Sequence, residues 1–220
     1  GGGPPAKPRV IVKLEAPKPE PKEPTREETV VSLLPRLEDE ELAARLTAIE
    51  RIGEALGGSE PGEVSGELRE RAAVALIDAY TETGDASPEK VELKRSIVRT
   101  VIAKVGGEAA KSFAGETLDH GTDTVKVEAV RAMLAPGAAK SPEANRKALE
   151  LARAGSIPEE LRATVLRRML GKKGEGEILG LFQQELSPAG IKACAVELQN
   201  LGKPGLMGVI LSRLDEKGLL

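Results

Sequence analysis

The sequence predicts an all-α fold, an α-solenoid of stacked helical hairpins preceded by an extended N-terminal tail. Apolar residues recur at helical spacing from residue 26 onward, beginning with Val30, Leu33, Leu34 and Leu37. The alternating pattern typical of a β-strand is absent after residue 15. Glycines stop the apolar runs at near-regular intervals, which is the pattern of an internal repeat. We therefore divide the chain into a tail, residues 1–25, and a helical domain, residues 26–220.

Composition narrows the function classes. Hydrophobic residues make up 40% of the 220 residues, but the chain has no Trp, one Tyr and two Phe. Its core must therefore consist of Leu, Ala, Val and Ile, which suit close helix packing. Few aromatic residues and a net charge of −3 argue against a nucleic-acid partner. The single cysteine excludes an intrachain disulfide, and no apolar run approaches the roughly 20 residues of a membrane span.

The tail is rich in proline. Residues 1–25 hold seven of the fifteen prolines, and APKPEPKEP favours an extended polyproline II segment. Within the tail, residues 9–15 form a short β-prone segment. Its apolar members are Val10, Ile11, Val12 and Leu14. One interpretation is a linker with an incidental apolar patch; the other is a strand that docks on a partner's sheet edge or groove.

The helices of the domain follow in order. Pro35 is expected to kink the first helix, and Gly57-Gly58 to end the second. Two long helices, SGELRERAAVALIDAYTETG and SPEKVELKRSIVRTVIAKVGG, follow, with Ser87 as the N-cap of the latter. Ser141 and Ser156 are predicted to start later helices in the same way. The final helix is predicted in GLMGVILSRLDEKG.

Residues 105–134, VGGEAAKSFAGETLDHGTDTVKVEAVRAML, contain two amphipathic runs joined by a polar turn. This segment is one unit of an array, because glycine stops recur near Gly57, Gly106, Gly137, Gly171 and Gly202. After the longer second unit, their spacings by subtraction are 31, 34 and 31 residues. A helical hairpin cannot bury its apolar face alone, so such units stack on a shared core.

These units resemble the HEAT repeats of bacterial proteins. Residues 105–134 are similar to a first helix, an acidic turn with Asp123, and a second helix of the form V-x-x-x-A-x-x-x-L. Residues 39–53, 66–76 and 200–216 have the same character, and Pro35 is placed like the proline often found in a first HEAT helix. The TPR pattern fits less well, because its Trp, Gly and Tyr positions are missing. The resemblance implies a right-handed solenoid of about five HEAT-like hairpins plus a final helix, with the register of residues 58–90 left open.

Two residues are candidates for chemistry. His120 lies in the turn DHGTD, beside Asp119 and Asp123, and has two interpretations: a metal or acid–base site, or an inter-helix turn in which Asp123 caps the next helix. Cys194 in IKACAVEL is either a reactive thiol or a small core residue. We favour the second interpretation for both and predict no catalytic residue, metal ligand or cofactor.

Charge is unevenly distributed. Residues 26–70 hold twelve acids against five arginines, a local charge of −7. Two later segments are basic, and most such runs are solvated helix faces. If the basic segments lie on second helices, they would line the concave face and meet an acidic partner surface or phosphates. The predicted partner-binding residues, besides those of the tail, are Lys90, Lys94, Arg95, Arg99, Arg162, Arg167 and Arg168.

Three hypotheses for function follow. The first is a non-enzymatic protein–protein interaction scaffold or structural subunit of a larger complex, with the tail as tether or docking segment. The second hypothesis adds a cellular location. GGGPPAKP is similar to the segment after the lipidated cysteine of bacterial lipoproteins. The protein would then contact the membrane only through a lipid anchor upstream of Gly1. This favours the bacterial periplasm or envelope over the cytoplasm. The third is a HEAT-like enzyme, similar to bilin lyases or DNA glycosylases, whose aromatic pockets and basic groove this chain lacks.

Overall fold

The computed structural model describes residue 2, residues 23–58 and residues 62–220, and within these the regular secondary structure is helical. The predicted all-α class is therefore confirmed. No helix among these residues is both long and apolar enough to cross a membrane. The α-helices are α1 (Arg26–Leu33), α2 (Leu42–Leu56), α3 (Gly66–Glu82), α4 (Pro88–Thr100), α5 (Gly107–His120), α6 (Asp123–Met133), α7 (Pro142–Ala154), α8 (Glu159–Leu170), α9 (Glu175–Phe182), α10 (Pro188–Asn200) and α11 (Leu206–Glu216). Two 3₁₀ turns, Leu34–Glu38 and Gly171–Gly174, and a π-helical turn, Val101–Val105, adjoin them.

Helix starts are set by side-chain caps. Ser87 and Ser141 each accept a hydrogen bond from a backbone N–H of the first turn, with proline as the first helical residue, as predicted. Helix α1 ends at Leu33, and Pro35 is the second residue of the 3₁₀ turn that follows. The predicted start at Ser156 is wrong. Helix α8 begins at Glu159 with Pro158 at the N-cap, because the ring of Pro158 disfavours a helical conformation at Ile157 before it.

The helices pack in two series. Helix α2 packs on α4 and α4 on α6, while α3 packs on α5 and α5 on α7; α8 packs on α10. Neighbours along the chain, such as α5 and α6, also contact each other, so residues 105–134 do form a hairpin. Glycine allows the close approaches. A Cβ at Gly53 would lie 3.2 Å from Thr100 Cγ2, where α2 crosses α4, and one at Gly190 would lie 2.9 Å from Glu159 Cβ, where α10 crosses α8.

The buried side chains form two apolar clusters. The first, which we call the N-terminal core, extends from Val30 to Val165 and contains Tyr80 at its edge. The second, the C-terminal core, extends from Ala163 to Ile210 and is centred on Phe182 and Leu198. Helix α8 contributes to both cores, so it joins the two parts of the domain.

Arginine side chains tie helix ends together. Arg69 on α3 donates to Leu56 O at the end of α2 (3.1 Å) and to Val105 O after α4 (3.1 Å). Arg213 on α11 donates to Phe182 O, the last residue of α9 (3.2 Å). The last carbonyls of a helix have no partner within it, so these contacts satisfy acceptors while joining neighbouring helices.

Candidate partner-binding cleft and the arginine ladder

The basic residues of α4 bind a buried carboxylate of α6. Arg95 donates through Nε and Nη2 to Glu128 Oε2 (3.2 and 3.0 Å), and Arg99 donates through Nε to Glu128 Oε1 (2.9 Å). Glu92, one turn before Arg95, accepts a further bond from Arg95 at 2.8 Å. Glu128 is only 5% exposed, so both of its oxygens are satisfied by arginines from the neighbouring helix.

The charge state of Glu128 follows from this geometry. Burial by itself would raise its pKa, but the hydrogen bonds and charges of Arg99 and Arg95 outweigh burial, and the pKa lies below its ordinary value. The hydrogen bond to Glu128 in turn raises the pKa of Arg99. The pair is therefore ionised at neutral pH.

The basic residues of α8 are used in a similar way. Arg167 binds Glu197, a buried residue of α10, which also accepts a hydrogen bond from Thr164 Oγ1 at 3.1 Å. Arg162 donates through Nε to Ala152 O at the end of α7 (2.8 Å). The Arg95 and Arg99 contacts with Glu128 and the Arg167 contact with Glu197 form what we call the arginine ladder. In each, an arginine of one even-numbered helix binds a buried glutamate of the following even-numbered helix.

The two predicted basic sets thus lie on α4 and α8, with α6 between them. Lys90 and Arg168 have no ion pair within the described residues. Around the α6 surface, three arginines face four acids, a balance of −1. These residues are Arg95, Arg99 and Arg131 against Glu92, Asp123, Glu128 and Glu160. The arrangement joins helices, and attraction of an acidic partner there remains a prediction.

A second site brings together the rarest side chains of the chain. Tyr80 of α3 and Phe113 of α5 meet edge to face, with ring centroids 5.1 Å apart and an interplanar angle of 83°. They line a cleft of about 320 Å³ between the two helices, and His120 lies on its rim. We call this the aromatic cleft. It gathers the single Tyr, one of the two Phe and the single His of the sequence.

A lysine closes one side of the aromatic cleft. Lys94 Nζ lies 4.9 Å from the Tyr80 ring centroid and 3.0 Å from Asp85 Oδ1. The Lys94 side chain is only 12% exposed, so its charge is balanced by Asp85 and by the face of the ring. Burial, followed by the charge of Asp85, raises the pKa of Tyr80, which keeps its hydroxyl protonated.

The rim and floor of the aromatic cleft carry polar groups. Glu116 and His120, both exposed, are one turn apart on α5. Thr117 lines the cleft and is 3% exposed, and its Oγ1 finds no hydrogen-bond partner among the described residues. A buried hydroxyl normally has a partner, so this atom offers a donor and an acceptor next to the cleft.

The turn after α5 differs in one detail from expectation. Thr122 occupies the N-cap of α6, with no side-chain capping bond, and Asp123 is the first helical residue. Asp123 therefore acts on the helix through its charge in the first turn and not as the cap. Asp119 binds Lys147 of α7, and that hydrogen bond lowers the pKa of Asp119. No group of three potential metal ligands occurs among the described residues.

Cys194 is a core residue, as predicted. Its side chain is fully buried in the C-terminal core, and burial raises the pKa of the thiol to about 11. A thiol of this kind is protonated at neutral pH and is a poor nucleophile.

The tail's predicted docking residues, Val10, Ile11, Val12 and Leu14, lie outside the described residues. The aromatic cleft was missed by reasoning from the sequence. The signal that could have found it is rarity: Tyr80, Phe113 and His120 all fall on two successive odd-numbered helices. The arginine ladder left a weaker signal, an arginine 29 to 33 residues before a glutamate.

Comparison of the chain with protein-family models, with curated proteins and with solved structures found no match.

Proposed function

We propose that residues 26–220 form a right-handed, HEAT-like solenoid of five helical hairpins and a final helix that serves as a non-enzymatic protein-binding scaffold. The tail serves as its tether or docking segment. The observation that carries the proposal is the packing of helices two positions apart along the chain, in the series α2–α4–α6 and α3–α5–α7 and in the pair α8–α10. Arrays of this kind present a long surface and little enclosed space.

Repeated side-chain contacts support the repeat architecture. The hydrogen bond from Arg95 to Glu128 spans 33 residues, and so does the one from Thr164 to Glu197. The two glutamates are buried on α6 and α10, at comparable places two hairpins apart. A contact that recurs at the repeat length is expected when neighbouring units share one geometry.

The aromatic cleft is the proposed anchor point for a partner protein. Its volume of about 320 Å³ is suited to one or two inserted apolar side chains. Tyr80 and Phe113 supply a rigid apolar wall, and the rim residues Glu116 and His120 supply exposed polar contacts. Partner-binding hot spots commonly combine an aromatic pocket with a polar rim.

The test is quantitative affinity capture with the full chain as bait, followed by binding measurements on the captured partner. The double substitution Glu116→Arg/His120→Glu alters the rim of the cleft without touching its buried wall. We expect it to weaken binding by at least about tenfold, the effect of losing one hot-spot contact.

Glu108→Arg is the matched control. Glu108 is on the same helix, is 84% exposed and forms only a surface ion pair with Lys111. Its substitution should leave binding unchanged. Equal binding by both variants would remove the aromatic cleft from the proposal, and turnover of a substrate by the pure protein would contradict a non-enzymatic scaffold.

A further inference from the structure

The outward side of α3 carries a small apolar patch, Val74 and Ala75, between charged residues. Glu67, Arg71, Val74 and Asp78 follow one another at helical spacing on this side. They border a shallow depression of about 580 Å³ in which Val74 is 48% exposed. We call this surface the α3 stripe. Among the described residues of α3, Val74 is the one large apolar side chain that is exposed.

The charges of the α3 stripe define what it would bind. Glu67 and Asp78 form no ion pair within the described residues. Glu70, at the stripe's edge, accepts a hydrogen bond from Ala109 N (2.9 Å), so it is held in place by α5. With Arg71 as the one cation, the stripe has a charge of −2 and an apolar middle. Its ligand should therefore be apolar in the middle and basic toward its ends.

The chain itself contains such a segment. Residues 9–15 read RVIVKLE, with Val10, Ile11 and Val12 between Arg9 and Lys13. In an extended conformation, Arg9 and Lys13 would be about 13 Å apart, at roughly 3.3 Å per residue. Glu67 and Asp78 are about 16 Å apart along the helix, at 1.5 Å per residue. Long basic side chains can span the difference.

The segment is also within reach. Thr25 caps α1, and Glu27 of α1 accepts a hydrogen bond from Ser65 N, the N-cap of α3, at 2.8 Å. The chain therefore enters the domain beside the first turn of α3. Val74 lies about 14 Å along α3 from Ser65. Nine residues between 14 and 23 can span about 28 Å even as polyproline II.

We propose that residues 9–15 bind the α3 stripe of the same molecule. This inference goes beyond the proposed function and does not depend on it, because it concerns a contact within the chain. It also gives the scaffold a surface whose availability depends on the tail. A partner that takes up the tail would expose the α3 stripe, and a partner that binds the stripe would release the tail.

Cysteine cross-linking tests the contact directly. Cys194 is buried with a raised pKa, so introduced thiols would be the reactive ones. In an extended segment Ile11 lies on the same face as Arg9 and Lys13. The full chain with Ile11→Cys and Val74→Cys is incubated with oxidised glutathione and analysed on non-reducing gels. The control carries Ile11→Cys and Val196→Cys, because Val196 of α10 is 52% exposed and distant in sequence. We expect an intramolecular disulfide to form about tenfold faster in the first variant than in the control.

The other outcomes overturn the proposal. Equal rates in the two variants would show that the tail has no preference for the α3 stripe. A disulfide-linked dimer that depends on protein concentration would assign the stripe to the tail of a second copy. Neither result contradicts the proposed scaffold function, because that function is tested by substitutions at the aromatic cleft in the full chain.

Limited trypsin digestion of the full chain gives an independent measurement without introduced cysteines. The bonds after Arg9 and Lys13 should be protected, whereas the bond after Lys22 serves as an internal reference. Val74→Glu should raise cleavage after Arg9 and Lys13 relative to Lys22 by up to about tenfold, because it removes a buried contact and adds a charge. Val196→Glu should leave the ratio unchanged. A ratio unaffected by Val74→Glu would overturn the proposal.

Discussion

Glu128 shows at the scale of one residue how this domain uses charge. It is buried on α6, yet it remains ionised because Arg95 and Arg99 each donate to one of its oxygens. The arginines themselves are about 37% and 43% exposed, so they could be rehydrated if the glutamate were lost. The glutamate has no such alternative. The interaction is therefore asymmetric, and loss of the arginines should destabilise the protein more than loss of the acid.

The first prediction tests this asymmetry. Arg95→Met/Arg99→Met should lower the free energy of unfolding by about 3 kcal/mol, because a buried carboxylate loses its partners. Glu128→Gln should lower it by about 1 kcal/mol, since the amide keeps an acceptor for the arginines. Urea unfolding followed by circular dichroism measures both. Arg146→Met, which removes an exposed pair with Glu150, is the control and should change stability by less than about 0.5 kcal/mol. Equal losses for the two test variants would contradict the asymmetry.

The second prediction concerns pH. The folded pKa of Glu128 is depressed, so its contribution to stability is present above its unfolded pKa of about 4.3 and is lost as pH falls through the lower folded pKa. Other acids with lowered pKa, such as Glu159 and Glu177, give the protein a general acid sensitivity. The difference between wild type and Glu128→Gln isolates Glu128. We expect it to shrink between about pH 5 and pH 2, measured by urea unfolding; a constant difference would argue against an ionised Glu128.

The third prediction concerns Cys194. Its thiol is buried and its pKa is about 11, so at pH 8 very little thiolate is present. Reaction with a thiol-specific reagent should be at least about 100-fold slower in the folded protein than in urea. The absorbance of the released reagent group measures both rates. Rapid reaction of the folded protein would place Cys194 at the surface.

At the scale of the element, the sequence predicted most helices because their starts carry local chemistry. Ser87-Pro88 and Ser141-Pro142 set the caps within three residues, and such signals need no tertiary information. Ser156 failed as a start because its proline stands two residues later and takes the cap position itself. The contacts between helices in the arginine ladder could not be predicted from such local patterns. Arg95 meets Glu128 only after two helices have packed, so their pairing depends on register between helices.

The fourth prediction concerns Arg69 and the carbonyl groups at helix ends. It donates to carbonyls at the ends of α2 and of the π-helical turn after α4, so it joins two even-numbered helices from α3. Arg69→Ala should lower the free energy of unfolding by about 1–2 kcal/mol, because carbonyls at two helix ends lose a donor. Arg51→Ala, at an exposed site on α2, is the matched control and should have an effect below about 0.5 kcal/mol. Thermal unfolding compares the two, and similar melting temperatures would show that water replaces Arg69.

At the scale of the whole molecule, the two cores determine how far the effect of a destabilising substitution spreads. The N-terminal core and the C-terminal core meet at α8, which supplies Val165 to the first and Ala163 and Leu166 to the second. If the helices form the proposed stacked array, each unit is stabilised mainly by its neighbours, so a defect in one core should act locally and its effect should decay along the chain.

Leu198→Ala tests this locality. Leu198 is fully buried in the C-terminal core, and truncating it should destabilise that core by about 2–5 kcal/mol. Native-state hydrogen exchange should then quicken in α9, α10 and α11, while α3 and α5 keep their protection. Leu76→Ala, at an equally buried site in the N-terminal core, should give the reverse pattern. If either substitution quickened exchange equally throughout α3 to α11, the domain would unfold as one cooperative unit, and the two cores would be parts of a single folding unit despite their separate packing.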